Sequence, residues 1–305
     1  MHPVDRTVGM GIIDAAALRK HIEQLTAYGP RHRRNSEAVR AALDHVTAHL
    51  TGYGYQVVTE RYGDAPHEVN LLAERAGTDG GPVLELGAHW DSVAGSPGAD
   101  DNASGVAGLL ELARLFATGP APARTLRFCF FGGEECDPEP FNGSTAHVAR
   151  LDATGEDVEG VIVLESIGFR DPRPHSQTFP EVGDELGVDL SAFHRADFIA
   201  AIGDEDAGDW LAAIFAGGRA QHPPLPVLPL PLPADHAGDG ARSDHVPYWD
   251  SGRLGVMVTD TTEFRSPHYH RPSDTVDTLD LDFAAQVTAA VAYAVRALAS
   301  LPGGA

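Results

Sequence analysis

Five polar clusters in this chain border apolar runs, and their residue types are those that bind metal ions. Leu84 to Ala88 ends in His89-Trp90-Asp91, Phe128 to Phe131 in Glu134-Glu135, and Val161 to Leu164 in Glu165. Leu254 to Thr259 leads to Pro267-His268-Tyr269-His270, and Gly98-Ala99-Asp100-Asp101-Asn102-Ala103-Ser104-Gly105 precedes an apolar helix pattern. Imidazole and carboxylate oxygen both suit zinc, and two histidines with several carboxylates suit a pair of such ions. Each piece alone is weak, because a lone histidine after a strand or a Glu-Glu pair is usually solvated or structural. Their agreement is stronger. Gathering so many carboxylates at one sheet edge without a cation costs several kcal/mol each in desolvation.

The elements that must position these residues read as an α/β fold. Ligand groups of open α/β sheets collect at the carboxyl ends of strands. A helix follows Asp14 and another follows Ser36, the latter with Val39, Leu43, Val46 and Leu50 on one face and Gly52 and Gly54 at its end. Tyr55 to Tyr62 and His67 to Ala73, joined through Gly63, Asp64 and Pro66, form a hairpin expected at an antiparallel edge. Strand and helix then alternate: strand Val83 to Ala88, helix Ala103 to Phe116, strand Thr125 to Phe131, helix Ser144 to Leu151, strand Val161 to Leu164. Such alternation means a mixed, mostly parallel twisted sheet with helices on both faces, a three-layer α/β/α sandwich. Phe169 to Pro180 is polar and irregular, and His222 to Pro233 is so rich in proline that both read as surface loops. Leu254 to Thr259 is the last strand, and Phe283 to Leu298 a helix with Phe283, Val287, Val291, Val295 and Leu298 toward the sheet. A single domain over 1–305 is expected, with N-terminal helices in 14–54 and a catalytic core in 83–300.

Composition narrows the partners. The chain carries 44 acidic against 22 basic residues, a formal charge of -22 that repels nucleic acid and anionic membrane. Met1 to Ile13 lacks a basic patch followed by an apolar run, and no stretch reads as the ~20 apolar residues that span a bilayer. A soluble, cytoplasmic protein is expected, with oligomeric state open. The two cysteines, Cys129 and Cys136, read as structural thiols.

On these motifs the sequence, from Tyr28 to Leu281, resembles the co-catalytic zinc aminopeptidases, whose relatives include glutamate carboxypeptidase and the animal glutaminyl cyclases. The resemblance implies zinc, two ions per chain, and carries roles onto matching residues. His89 would bind one zinc with Asp91 behind it fixing its tautomer. Asp101, the second Asp of the G-A-D-D-N-A-S-G segment, would bridge both ions. Glu134 would be the general base, Glu135 and Glu165 ligands, and His270 the last ligand. Tyr269 resembles the family tyrosine that donates to the tetrahedral oxyanion. Two departures stand out. Glu165 occupies a position where the best-known members have Asp, and Cys136 to Asn142 differs from the usual short link to Gly143-Ser144.

The implied activity is hydrolysis of a peptide or small amide, with removal of an N-terminal residue the favoured form. Glutaminyl cyclisation with one zinc is the second reading. A non-enzymic binding module on the same fold is the third, and it predicts missing ligands or base, none of which is missing. Ser243-Asp244-His245 is no hydrolytic triad, since three adjacent residues cannot point at one centre; the resemblance places it near the site, where a supporting role and a purely structural one both stand. His268 is a lesser alternative to His270. Arg265 could bind a substrate carboxylate, although an exposed loop arginine is the commoner case. Asp260 and Asp274 read as caps or supporting groups.

Overall fold

The protein is described here by a computed structural model covering residues 13–136, 141–180, 189–232 and 238–300. The expectations for Met1 to Ile13 and for the Cys136 to Asn142 link therefore fall largely outside the described residues, as does Pro233.

Eight strands form one sheet: β1 Val57–Arg61, β2 Val69–Arg75, β3 Val83–His89, β4 Leu126–Phe131, β5 Val158–Glu165, β6 Ile199–Asp204, β7 Val227–Leu232 and β8 Leu254–Thr259, in the order β1-β2-β4-β3-β5-β8-β6-β7. The central β4-β3-β5-β8 run is parallel. The β1-β2 hairpin is antiparallel and adds to β4 as the expected edge, while β6 runs antiparallel to β8 and carries β7 parallel beyond it.

Alternation along the strands explains the layers. Leu84, Leu86 and Ala88, Leu126, Phe128 and Phe130, and Ile162 and Leu164 enter one core, whereas Cys129, Phe131, Val161 and Val163 enter another on the opposite face. The first face is covered by α1 Ala15–Thr26, α2 Ser36–Gly52, α3 Gly105–Ala117, α5 Gly208–Arg219 and α7 Leu281–Ser300; the second is covered by α4 Asn142–Thr154 and α6 Val246–Asp250. Asp14 and Asn35 cap α1 and α2 by accepting from the backbone N–H of Ala16 and Ala38.

Three elements were not legible between the loops. β6 is alanine-rich, a poor strand signal. In α5, Gly217 lets the helix touch α7, since a Cβ there would sit 2.2 Å from the Ala290 carbonyl oxygen. The loop expected over His222 to Pro233 contains β7 instead. Pro229 and Pro231 are tolerated because β7 is the sheet's edge and pairs only with β6, so alternate N–H groups have no strand to donate to. The expectation that no segment is long and apolar enough to span a bilayer also needs correction. Leu281–Ala299 is, with mean hydropathy 1.2, but it packs against α1, α3 and α5 as a core helix.

Candidate metal centre

The carboxyl ends of the parallel strands bring the sequence-predicted residues together. His89 is the last residue of β3, Glu165 the last of β5, and Glu134 and Glu135 follow β4. Asp101 sits in a wide turn, Ala99–Ser104, that enters α3, and His270 lies in the loop after β8. The turn presses closely on β5. A Cβ on Gly105 would lie 2.5 Å from the Leu164 carbonyl oxygen, and Asn102 donates to that carbonyl while accepting from the Ser166 and Gly105 N–H groups.

The six side chains divide into two nests joined by one carboxylate. In the first, His89 Nε2 lies 3.2 Å from Glu165 Oε2, 4.0 Å from Glu134 Oε2 and 3.4 Å from Asp101 Oδ1. In the second, His270 Nε2 lies 3.0 Å from Glu135 Oε1 and 3.0 Å from Asp101 Oδ2. Each oxygen of Asp101 thus faces a different imidazole. His89, Glu134 and Glu165 place ligand atoms within 4.8 Å of one another, as do Asp101, Glu135 and His270. A tetrahedral zinc with ligands at ~2.0–2.1 Å separates those ligands by ~3.3 Å, close to the spacings within both nests.

The electrostatics call for added positive charge. Burial disfavours the protonated form of His89, but Glu165 and Glu134 beside it push its pKa well up. Burial likewise acts against His270, and bonds to Asp101 and Glu135 overcome it, raising the imidazole to about 10. Asp101 is held below the usual carboxylate range by the two imidazoles against the effect of burial. Glu134 is pushed far up by burial despite His89, and Glu135 to about 8 by burial and Asp101. The carboxylates exceed what the imidazoles neutralise, and divalent cations would correct that imbalance. The donor set fits zinc.

The remaining predicted residues fall around these nests. Asp91 faces His89 Nδ1 at 3.7 Å, too far for a hydrogen bond, and accepts from the Glu134 and Glu135 N–H groups. Its observed bonds shape the Glu134-Glu135 turn. The Tyr269 ring stacks on His270, and its hydroxyl meets Arg242 at 3.3 Å. His268 turns away to Ser273. Ser243 donates to Glu165 Oε2 at 2.7 Å, so the S-D-H segment does support the site. Asp274 accepts from the Asp100 and Asp101 N–H groups, and Asp260 from those of Phe169 and Thr262. Arg265 is not an exposed loop residue, and it does not line the cleft. It is buried, stacked over Phe198, and donates to Gln177 and the Phe198 carbonyl.

Arg31 was missed from sequence. Its fully buried guanidinium donates to the carbonyls of Trp90, Pro97 and Gly98, clamping the loop that connects His89 to Asp101. No local pattern marks it, because its partners lie 59 to 67 residues away. A cleft of roughly 1040 Å³, its open mouth included, was also invisible. It runs from Asp101, Glu134, Glu135 and Glu165 into an apolar recess with Phe179, Ile202, Leu228, Leu230, Met257 and Phe264 on its walls.

A two-nest centre of histidine and carboxylate at the carboxyl edge of a three-layer α/β/α sheet defines a metal-dependent hydrolase. Residues 70–203 match peptidase family M28. A relative from Escherichia coli, "Uncharacterized protein YfbL", is 32% identical over 88% of this chain and 84% of its own length. The "Probable zinc metalloprotease" of Pyricularia oryzae is 28% identical over 98% of this chain and 67% of its own length. The crystal structure of the Legionella pneumophila LapA aminopeptidase shares the fold, with TM-score 0.71 and 20% identity over 95% of this chain and 73% of that one. The chain belongs to peptidase family M28 and is a zinc-dependent peptide hydrolase.

Proposed function

We propose that the protein is an aminopeptidase that holds two zinc ions and removes bulky apolar N-terminal residues. One observation carries the reading: Asp101 turns one oxygen to the His89–Glu165 nest and the other to the His270–Glu135 nest. In this reading His89, Asp101 and Glu165 would hold one ion, and Asp101, Glu135 and His270 would hold the other. Bound zinc would polarise the scissile carbonyl and lower the pKa of a water. Glu134 is left over from both ligand sets and lies on the cleft wall. As general base it takes the attacking water's proton and returns it to the leaving amine. Tyr269 donates from its hydroxyl to the developing oxyanion. Asp91 holds the Glu134-Glu135 turn in place through the two N–H groups it accepts.

Two features of the cleft support the substrate. Its acidic end suits the α-ammonium of a peptide, and its apolar recess suits one large aliphatic or aromatic side chain. Cyclisation needs one ion, so zinc content separates that reading from this one. The test compares leucyl, phenylalanyl, alanyl and N-acetylated leucyl arylamides on zinc-loaded and chelated protein. Cleavage of the free-amine leucyl and phenylalanyl substrates, lost on chelation, is expected, with about two zinc per chain beyond what an Asp101→Ala variant retains. Equal cleavage of the N-acetylated substrate would refute the aminopeptidase reading, and one zinc at full activity would refute the paired centre.

A further inference from the structure

Helices α1 and α2 bring three imidazoles together outside the two nests. His45 and His49 are four residues apart on α2, hence on one helix face, and His21 faces them from α1. Their ligand atoms lie within 4.8 Å of one another. His21 Nδ1 approaches His45 Nε2 to 2.9 Å, and the ring centroids are 5.2 Å (His21–His45), 4.6 Å (His21–His49) and 4.5 Å (His45–His49) apart.

Polar groups stand behind two of the rings. His21 Nε2 faces Glu111 Oε1 of α3 at 3.8 Å, and Glu111, 1% exposed, is held from the other side by Arg114 at 2.9 and 2.8 Å. His49 Nδ1 meets the Tyr53 hydroxyl at 3.3 Å. A hydrogen bond such as that of His49 to Tyr53 fixes which ring nitrogen is left to face the other imidazoles. His45 and His49 are half-buried, so solvent reaches the cluster. Three imidazoles match the donor preference of zinc, nickel or copper rather than calcium or magnesium.

We propose that His21, His45 and His49 form a separate site for a divalent transition-metal ion, clipping α1 to α2 and, through Glu111, to α3. The ion is structural: it binds the folded chain, raises its melting temperature and takes no part in turnover.

The test counts metal in wild type and in the double variant His45→Gln/His49→Gln after chelation and reloading with zinc. The variant should hold one zinc fewer per chain, keep its peptidase activity, and lose part of the zinc-induced rise in melting temperature. Equal zinc content in the two proteins overturns the site. A second measurement needs no variant at these histidines. Asp101→Ala, loaded with one equivalent of Cu2+, should give an electron paramagnetic resonance spectrum split by three nitrogens, whereas each catalytic nest holds a single imidazole. A spectrum with one nitrogen, or no bound copper, refutes the proposal whatever the fate of the catalytic reading.

Discussion

His147 of α4 lies between two carboxylates that its neighbours hold low, and its charge follows from that arrangement. Nδ1 is 3.0 Å from Glu60 Oε1 and Nε2 is 3.1 Å from Glu85 Oε1, with His147 fully buried. An ionised carboxylate only accepts, so both ring nitrogens must carry protons and the ring is imidazolium. Burial opposes this, but the bonds to Glu60 and Glu85 raise the histidine to about 9, while Glu60 is held down at about 2. These are two views of one interaction and are counted once. A rise from 6.5 to about 9 corresponds to on the order of 3 kcal/mol. Because the folded value lies above the unfolded one, that contribution is complete below pH ~6.5 and disappears as pH rises through about 9. Urea unfolding of wild type and His147→Gln at fixed zinc, from pH 6 to pH 10, isolates the effect. Groups common to both proteins cancel in the difference, which should shrink by about 3 kcal/mol across the window. A difference that stays constant with pH would mean the ring is neutral, and the argument from its two carboxylate partners would be wrong.

Changes at the catalytic nests should separate chemistry from binding. Glu134→Gln should lower kcat by roughly 10²–10⁴-fold with zinc content unchanged, whereas Asp101→Ala should empty both nests; metal analysis beside arylamide kinetics distinguishes them, and an Asp101→Ala protein with full zinc content contradicts the bridging role. Ala200 lines the apolar recess, so Ala200→Leu should reduce kcat/KM for leucyl relative to alanyl arylamide by roughly tenfold or more; an unchanged ratio would place the substrate side chain elsewhere. Arg31→Met leaves the buried carbonyls of Trp90, Pro97 and Gly98 without their donor, and zinc affinity by chelator competition should fall roughly 10–100-fold; unaltered affinity would show that the loop keeps its shape unaided.

The candidate centre was legible because its residues stand where apolar strands stop. His89, Glu134, Glu135 and Glu165 follow the runs that become β3, β4 and β5, and a parallel sheet brings such ends to one edge. What periodicity could not supply was their division into two nests, which depends on where the long loop after β8 delivers His270. The half of the sheet beyond β8 was illegible for compositional reasons. Alanine in β6, proline in β7 and the paired glycines of α5 are poor local signals, and tertiary packing overrides them. That gap concealed the apolar recess, since Ile202, Leu228, Leu230 and Met257 come from β6, β7 and β8. Arg265 was misjudged for a similar reason: whether a loop arginine is exposed depends on which distant aromatic ring it meets.

Glu165, where the best-known relatives carry Asp, shows how the loops and strand ends prepare the centre before any ion arrives. The longer side chain does not hang free, because Ser243 donates to its Oε2 while that oxygen lies 3.2 Å from His89 Nε2. The next residue, Asp244, accepts from Ser144 near the start of α4, and His245 Nε2 reaches the Gly240 carbonyl. Three consecutive side chains therefore pull in three directions, which is why they cannot form a triad and why they can tie β5, α4 and the segment before α6 together. Arg31, Asn102 and Asp274 do the same for the turn that carries Asp101. A ligand fixed by its neighbours loses little freedom when a cation binds. The extra methylene of Glu165 is thus matched by a hydroxyl that holds it, and the spacing to His89 stays within the range of zinc ligands.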